Sequence, residues 1–217
     1  MSIASYILSF VSGFSSGGGH HYKSYHDREE YYRNLLREDN EERLFNLLSE
    51  HQEAVTNPAL EIRFRGVKFG SSLKQVCKVM GKPRFEISND ALISHHKILF
   101  YRFSIYHMRA IAQLHFMKGE FFYAKYTFKD SDSNSFSSIL GVLKNKYFTT
   151  NHFQENISRV RDVQGNMIAL EKSLHLNIKY ISGDPLYRTY LQQISLRKQE
   201  IREKRKSLKL KSLQDSL

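Results

Sequence analysis

The chain has 217 residues and is 41% hydrophobic, which suits one domain with extensions or two small ones and is enough to bury a core. Its single cysteine, Cys77, excludes an internal disulfide and a cysteine-cluster zinc site, and no apolar run reaches the roughly 18 to 20 residues that cross a bilayer, so a soluble, cytoplasmic protein is expected. The formal net charge of +11 is uneven: residues 1–60 hold five Lys/Arg against nine Asp/Glu, residues 61–185 nineteen against ten, and residues 186–217 nine against three. A basic body and tail beside an acidic arm point to an anionic partner such as nucleic acid or a membrane surface, to the arm folding back on the body, or to plain solvation of the charge.

Residues 1–60 read as an N-terminal apolar segment followed by an acidic helical arm. Met1 to Tyr22 contains no Asp, Glu, Lys or Arg, and Ser2, Ser5, Ser9, Ser12 and Ser16 form one stripe of a helix whose other faces carry Ile3, Ile7, Leu8, Phe10, Val11 and Phe14. Without leading basic residues or a cleavage site it is not a secretory signal. A short helix that docks on a partner or lies in a membrane interface is one expectation, and local packing is the other. After the break at Ser15 to Gly19, Asp27 with Glu30 and Asp39 with Glu42 fit capping boxes. They frame one kinked helix or two that carry Tyr31, Tyr32, Leu35, Leu36, Leu44, Phe45, Leu47 and Leu48, and Asn57-Pro58 ends the arm.

Residues 61–183 form the body, expected to be two helix-then-strands units. Glu61 to Val67 reads as a strand, and a helix from Ser71 or Ser72 places Leu73, Val76, Cys77 and Met80 on one side before Gly81-Lys82-Pro83 stops it. From Lys97 to Lys129 run three alternating strands with Leu99, Tyr101, Phe103 and Ile105, then Ala110, Ala112, Leu114 and Phe116, then Phe122, Ala124, Tyr126 and Phe128 on one face. A two-residue loop at Lys118-Gly119 would put the last two apolar sets on opposite faces. The sequence therefore predicts a three-residue loop, Met117-Lys118-Gly119, with Leu114 opposite Phe122. A second helix follows with Phe136, Ile139, Leu140, Leu143 and Tyr147. After Ile157 to Asp162, a long alternation points Ile168, Leu170, Leu174, Leu176, Ile178 and Tyr180 one way and Glu171, His175, Asn177 and Lys179 the other.

Phe69-Gly70-Ser71-Ser72-Leu73, then Val76, then Gly81-Lys82-Pro83, followed by strands, resembles the opening of the small α+β domains shared by the outer-membrane assembly lipoprotein BamE and the β-lactamase-inhibitor proteins. The likeness covers about sixty residues. It implies a helix layer on an antiparallel sheet and protein binding without catalysis. With neither an export signal nor a lipid-modifiable cysteine near its start, the chain takes only the fold from this resemblance.

Residues 184–217 read as a basic C-terminal helix that starts at Asp184-Pro185 and runs to Ser207 or beyond. Tyr187, Ile194, Ile201 and Leu208 recur every seven residues, but Leu191, Lys198 and Arg205 at the companion positions do not sustain a coiled coil. Lys198, Arg202, Arg205 and Lys209 form one stripe, and Arg197, Lys204 and Lys211 a second row on the other flank of the Ile194–Ile201–Leu208 seam. These seven are the candidate anion-binding residues. A solvated tail is the alternative.

Other chemistry finds no pattern. Asp130-Ser131-Asp132-Ser133-Asn134 begins like an EF-hand loop, but Ser135 and Gly141 stand where glycine and glutamate are needed, so a polar cap for the next helix is expected. His20, His21, His26, His95, His96 and His107 lack metal-ligand spacing, and His115 and His175 are placed on an open sheet face. Cys77 reads as a core residue. Phe121, Tyr123, Lys125 and Lys129, alternating opposite the core, would suit base stacking if exposed, and cover by a helix or the arm is the expectation.

The expected fold is α+β, an antiparallel sheet of about six or seven strands with two short helices on one face and helical extensions at both ends. A non-enzymatic binding or assembly protein acting through protein contacts or self-association is expected, without catalytic residues, metal or cofactor. The alternative is a nucleic-acid-binding accessory protein that uses the basic body and tail, with an anionic membrane surface as a further partner class.

Overall fold

The alternating runs of the sequence become the strands of a single mixed sheet in the computed structural model, which describes residues 25–36, 41–49, 54–57, 60–88, 95–105, 107–128, 133–147, 158–172 and 175–215. The elements in order are α1 (Tyr25–Leu35), α2 (Glu41–Ser49), β1 (Val55–Thr56), α3 (Leu73–Met80), β2 (Phe85–Ser88), β3 (His96–Ile105), β4 (Met108–Met117), β5 (Glu120–Phe128), α4 (Ser133–Tyr147), β6 (Ser158–Arg161), β7 (Met167–Lys172), β8 (Leu176–Ile181) and α5 (Pro185–Asp215). The strands run β1-β6-β7-β8-β5-β4-β3-β2 across the sheet. Seven are antiparallel to their neighbours, and the two-residue β1 adds a parallel edge on β6.

One face of this sheet is apolar throughout. Leu99, Tyr101, Ala110, Ala112, Leu114, Phe116, Ala124, Tyr126, Phe128, Ile168, Leu170, Leu176, Ile178 and Tyr180 bury themselves there beneath α3 and α4. Ser72 caps α3 by accepting from the Gln75 amide at 3.3 Å, while Gln75 accepts the Ser72 amide at 2.8 Å. That reciprocal box sets Val76 into the core, with Leu73, Cys77 and Met80 beside it. From α4, Ile139, Leu143 and Tyr147 reach the same core; the side chains of Phe136 and Leu140 lie outside the described residues.

Three sequence expectations change in this region. Glu61 to Val67 is not a strand: Phe64 and Val67 form an isolated bridge around Arg65 and Gly66, both at positive φ, and the resulting loop drops Ile62, Phe64 and Val67 onto the apolar face. The β4–β5 loop has two residues, since Met117 lies opposite Glu120 and both Lys118 (φ 52) and Gly119 (φ 86) are left-handed, as a primed hairpin turn demands. A bulge corrects the parity. The register shifts between His115 and Phe116, so Phe116 faces Phe121 while Leu114 faces Ala124. Phe121 therefore joins the apolar core, and Phe122 turns to the other face. Finally, the long alternation after Gln164 is a hairpin, with Ile168 opposite Tyr180 and Leu170 opposite Ile178; Leu174 lies outside the described residues.

The second face is covered by the terminal elements, which makes three layers. Tyr32 of α1 lies on Phe85 (4.9 Å between ring centroids) and Phe100 (4.6 Å). Leu44 and Leu48 of α2 and Tyr187 and Leu191 of α5 bury against Met117, Phe122, Tyr123, Met167, Ala169 and Ile181. Asp27 lies inside α1 rather than at its cap, because the helix already runs from Tyr25. The segment 1–24, the Asp39 cap and the EF-hand-like stretch up to Asp132 lie outside the described residues.

Candidate functional site

The C-terminal helix is built to be held at one end. Asp184 Oδ1 accepts the Leu186 amide at 2.9 Å and Pro185 supplies the first helical position, so the chain leaves β8 directly into α5. Tyr187 stacks on Phe122 at 5.2 Å and donates its hydroxyl to Glu120 Oε2 at 3.1 Å. Burial first, and the Glu120 carboxylate second, raise the pKa of that phenol. Arg188 Nε donates to the Leu48 carbonyl at 3.0 Å, which ties α5 to α2. Lys118, at the tip of the β4–β5 hairpin, sets Nζ 4.3 Å from the centre of the Tyr190 ring. Leu191 is fully buried, and Ile194 makes the last apolar contact with the body.

From Ser195 onward the helix leaves the body. Every side chain from Ser195 to Leu210 is exposed except half-buried Lys198. Ile201 (50%) and Leu208 (67%) thus continue the docked seam into solvent. Twenty-one residues, Ser195 to Asp215, extend about 30 Å at roughly 1.5 Å each.

The predicted cations all fall on this free half. With about 100° between successive residues, Arg197, Lys204 and the Lys211 position form one row and Lys198, Arg202, Arg205 and Lys209 another, with Ile201 and Leu208 between. Together they occupy the half of the helix that continues the docked side of Tyr187, Leu191 and Ile194. Glu200, Glu203 and Lys206 lie outside that half, and Lys206 pairs with Glu203 at 3.2 Å. The side chain of Lys211 is not among those described. Such an arrangement offers charge on two flanks with a narrow apolar strip between.

The sheet holds a second polar constellation, which the sequence placed in the open. His115 is fully buried rather than exposed, because Phe122 and Tyr123 pack against its ring and α2 and α5 cover the neighbouring part of that face. His96 Nε2 lies 3.1 Å from His115 Nδ1, and burial, with His96 and Lys125 nearby, lowers the pKa of His115 well below the ordinary range. Gln113, Lys125, Thr127 and Asn177 are buried on the same face, where Thr127 Oγ1 donates to Asn177 Oδ1 at 3.0 Å. The proposed stacking platform is therefore split: Phe121 sits in the apolar core, Tyr123 and Lys125 are buried on the second face, and Lys129 lies outside the described residues. His175 is half-buried and His95 and His107 are exposed. Cys77 is half-buried, with Sγ 4.0 Å from the Tyr101 hydroxyl.

Among the described residues no three His, Cys, Asp or Glu converge as metal ligands, and no helix is long and apolar enough to cross a membrane. The contact of Lys118 with α5 was not legible in the sequence, since a turn lysine gives no sign of the helix it meets 72 residues later at Tyr190. No family model matches the chain, and no curated protein or solved structure matches it.

Proposed function

We propose that the protein is a non-enzymatic binding or assembly protein whose α+β body holds out the free half of α5 as its contact element for an acidic macromolecular partner. One observation carries this. A helix of this length, clamped by Tyr187, Leu191 and Ile194 and then exposed with Arg197, Arg202, Lys204, Arg205 and Lys209 around Ile201 and Leu208, with half-buried Lys198 beside them, presents charge and apolar surface along one side. The free half continues an already nucleated helix but has no tertiary packing of its own, so a partner that covers it also stabilises it. Exposed Leu196 and Leu210, on the opposite side, favour a second reading in which a protein packs around the whole helix.

The test compares the intact chain with one ending at Ser195. Both should melt at nearly the same temperature, since the docked turns remain. Binding to duplex DNA, single-stranded RNA, anionic vesicles or poly-glutamate should be lost with the free half for at least one of the four. Equal binding by both chains to all four would remove α5 from the functional account.

A further inference from the structure

We infer that the contact surface of α5 begins on the body at Lys118 and that its partner is the phosphate backbone of a nucleic-acid duplex, an inference that rests on α5 being the contact element. Lys118 Nζ sits over Tyr190, and Tyr190 is one seven-residue step before Arg197, which is one step before Lys204 and two before Lys211. Each step is two helical turns, about 10.5 Å. The hairpin tip and the helix thus form a single row of cations, Lys118, Arg197 and Lys204, on one flank, with position 211 the next in line. The other flank carries Lys198, Arg202, Arg205 and Lys209.

The two rows lie roughly 130° apart around a helix about 10 to 12 Å across, and a B-form major groove is about 12 Å wide. A helix seated there meets a phosphate strand on each side. Each strand carries one phosphate per 3.4 Å of duplex axis whatever the base sequence, so flexible Lys and Arg side chains about 10.5 Å apart find phosphates within reach on any stretch. The strip between the rows holds Ile201 and Leu208, which offer no hydrogen bond to a base edge, and sequence preference is absent. An acidic protein would need carboxylates spaced to match both rows; a duplex supplies phosphates on two sides along any stretch.

Fluorescence anisotropy with a mixed-sequence 24-base-pair duplex tests this on the full chain, as log affinity against log salt. Lys118→Gln and Arg197→Gln should each flatten the slope by about 0.9, and Lys118→Arg should restore it. Tyr190→Leu, which removes the ring under Lys118 but keeps the charge, should leave the slope unchanged and so separates phosphate contact from local packing. A slope moved by Arg197→Gln but not by Lys118→Gln would end the surface at the helix and overturn the inference while the contact role of α5 stands. Capture on poly-glutamate with no duplex binding would overturn the choice of partner. Equal binding by the chain ending at Ser195 would overturn both.

Discussion

Phe121 and Phe122 are adjacent and both fully buried, on opposite faces of the sheet. Strand alternation puts them there and cover on both faces buries both, while the interrupted register shows in Phe122 and Tyr123 sharing the second face; each ring lost to alanine should cost about 3 to 5 kcal/mol in urea melts. A cost below about 1 kcal/mol at either would show that its face is open. The same two residues mark where the sequence stopped being legible. Alternation identified Ala124, Tyr126 and Phe128 as core, and they are. Parity through Lys118-Gly119 was resolved by lengthening the turn, whereas the chain keeps the tight primed turn and inserts the extra residue into the strand. Nothing in residue type distinguishes those two solutions, since both place one left-handed glycine at Gly119. His115 was misplaced for a related reason: a polar residue opposite a core face reads as solvent-facing until the covering element is known. Its burial gives a pH dependence. The unfolded imidazole takes up a proton near pH 6.5, but native His115 does so only at lower pH. Acidification below about 6.5 should therefore favour unfolding, with a slope approaching 1.4 kcal/mol per pH unit until the lowered native pKa is passed. His115→Gln should flatten that slope in urea midpoints measured across this range.

Among the connecting elements, the turn between β6 and β7 does the most joining. Buried Asp162 accepts the amides of Ile62 (3.0 Å), Gln164 (2.9 Å) and Asn166 (2.9 Å) and the Asn166 side chain (3.0 Å). Asn166 Oδ1 in turn accepts the Gly183 amide at 2.9 Å, just ahead of α5. Asp162→Ala would leave several buried donors without an acceptor, and a loss of about 3 kcal/mol or more is expected; Asp162→Asn, which keeps one oxygen, should lose less. Gly183 passes so close to the turn that an added Cβ would lie 2.3 Å from the Gly165 carbonyl carbon. Gly183→Ala should therefore lower the melting temperature by several degrees, and an unchanged midpoint would show that the two loops separate freely. The start of α5 was legible from Asp184-Pro185, and so was its basic character. Where the helix parts from the body was not, because Ile194 and Ile201 are equivalent in periodicity and only the extent of the sheet and of α2 decides which one is covered.

Over the whole molecule, the terminal extensions share one face of the sheet while α3, α4 and the 60–70 loop share the other. The described part of the arm, α1 and α2, is thus a structural layer on the second face of the sheet. Amide exchange should report where α5 leaves that face. Protection in α5 should be high around Leu191 and fall within a turn or two after Ser195, and it should rise there when a partner binds. Uniform protection to Asp215 in the isolated protein would mean that the free half is already covered.

The strand order also bears on how the chain reaches this state. β2 to β5 form a meander of neighbours, as do β6 to β8, so each set can assemble from nearby residues soon after synthesis. The two sets join only through β5 and β8, where Phe128 pairs with Leu176. The contacts of Ile62 with Asp162 and Val55 with Val160 span about a hundred residues of chain and so carry the larger loop-closure cost. Because α5 follows the last strand and docks on residues of β4, β5, β7 and β8, its anchored end depends on both sets being joined.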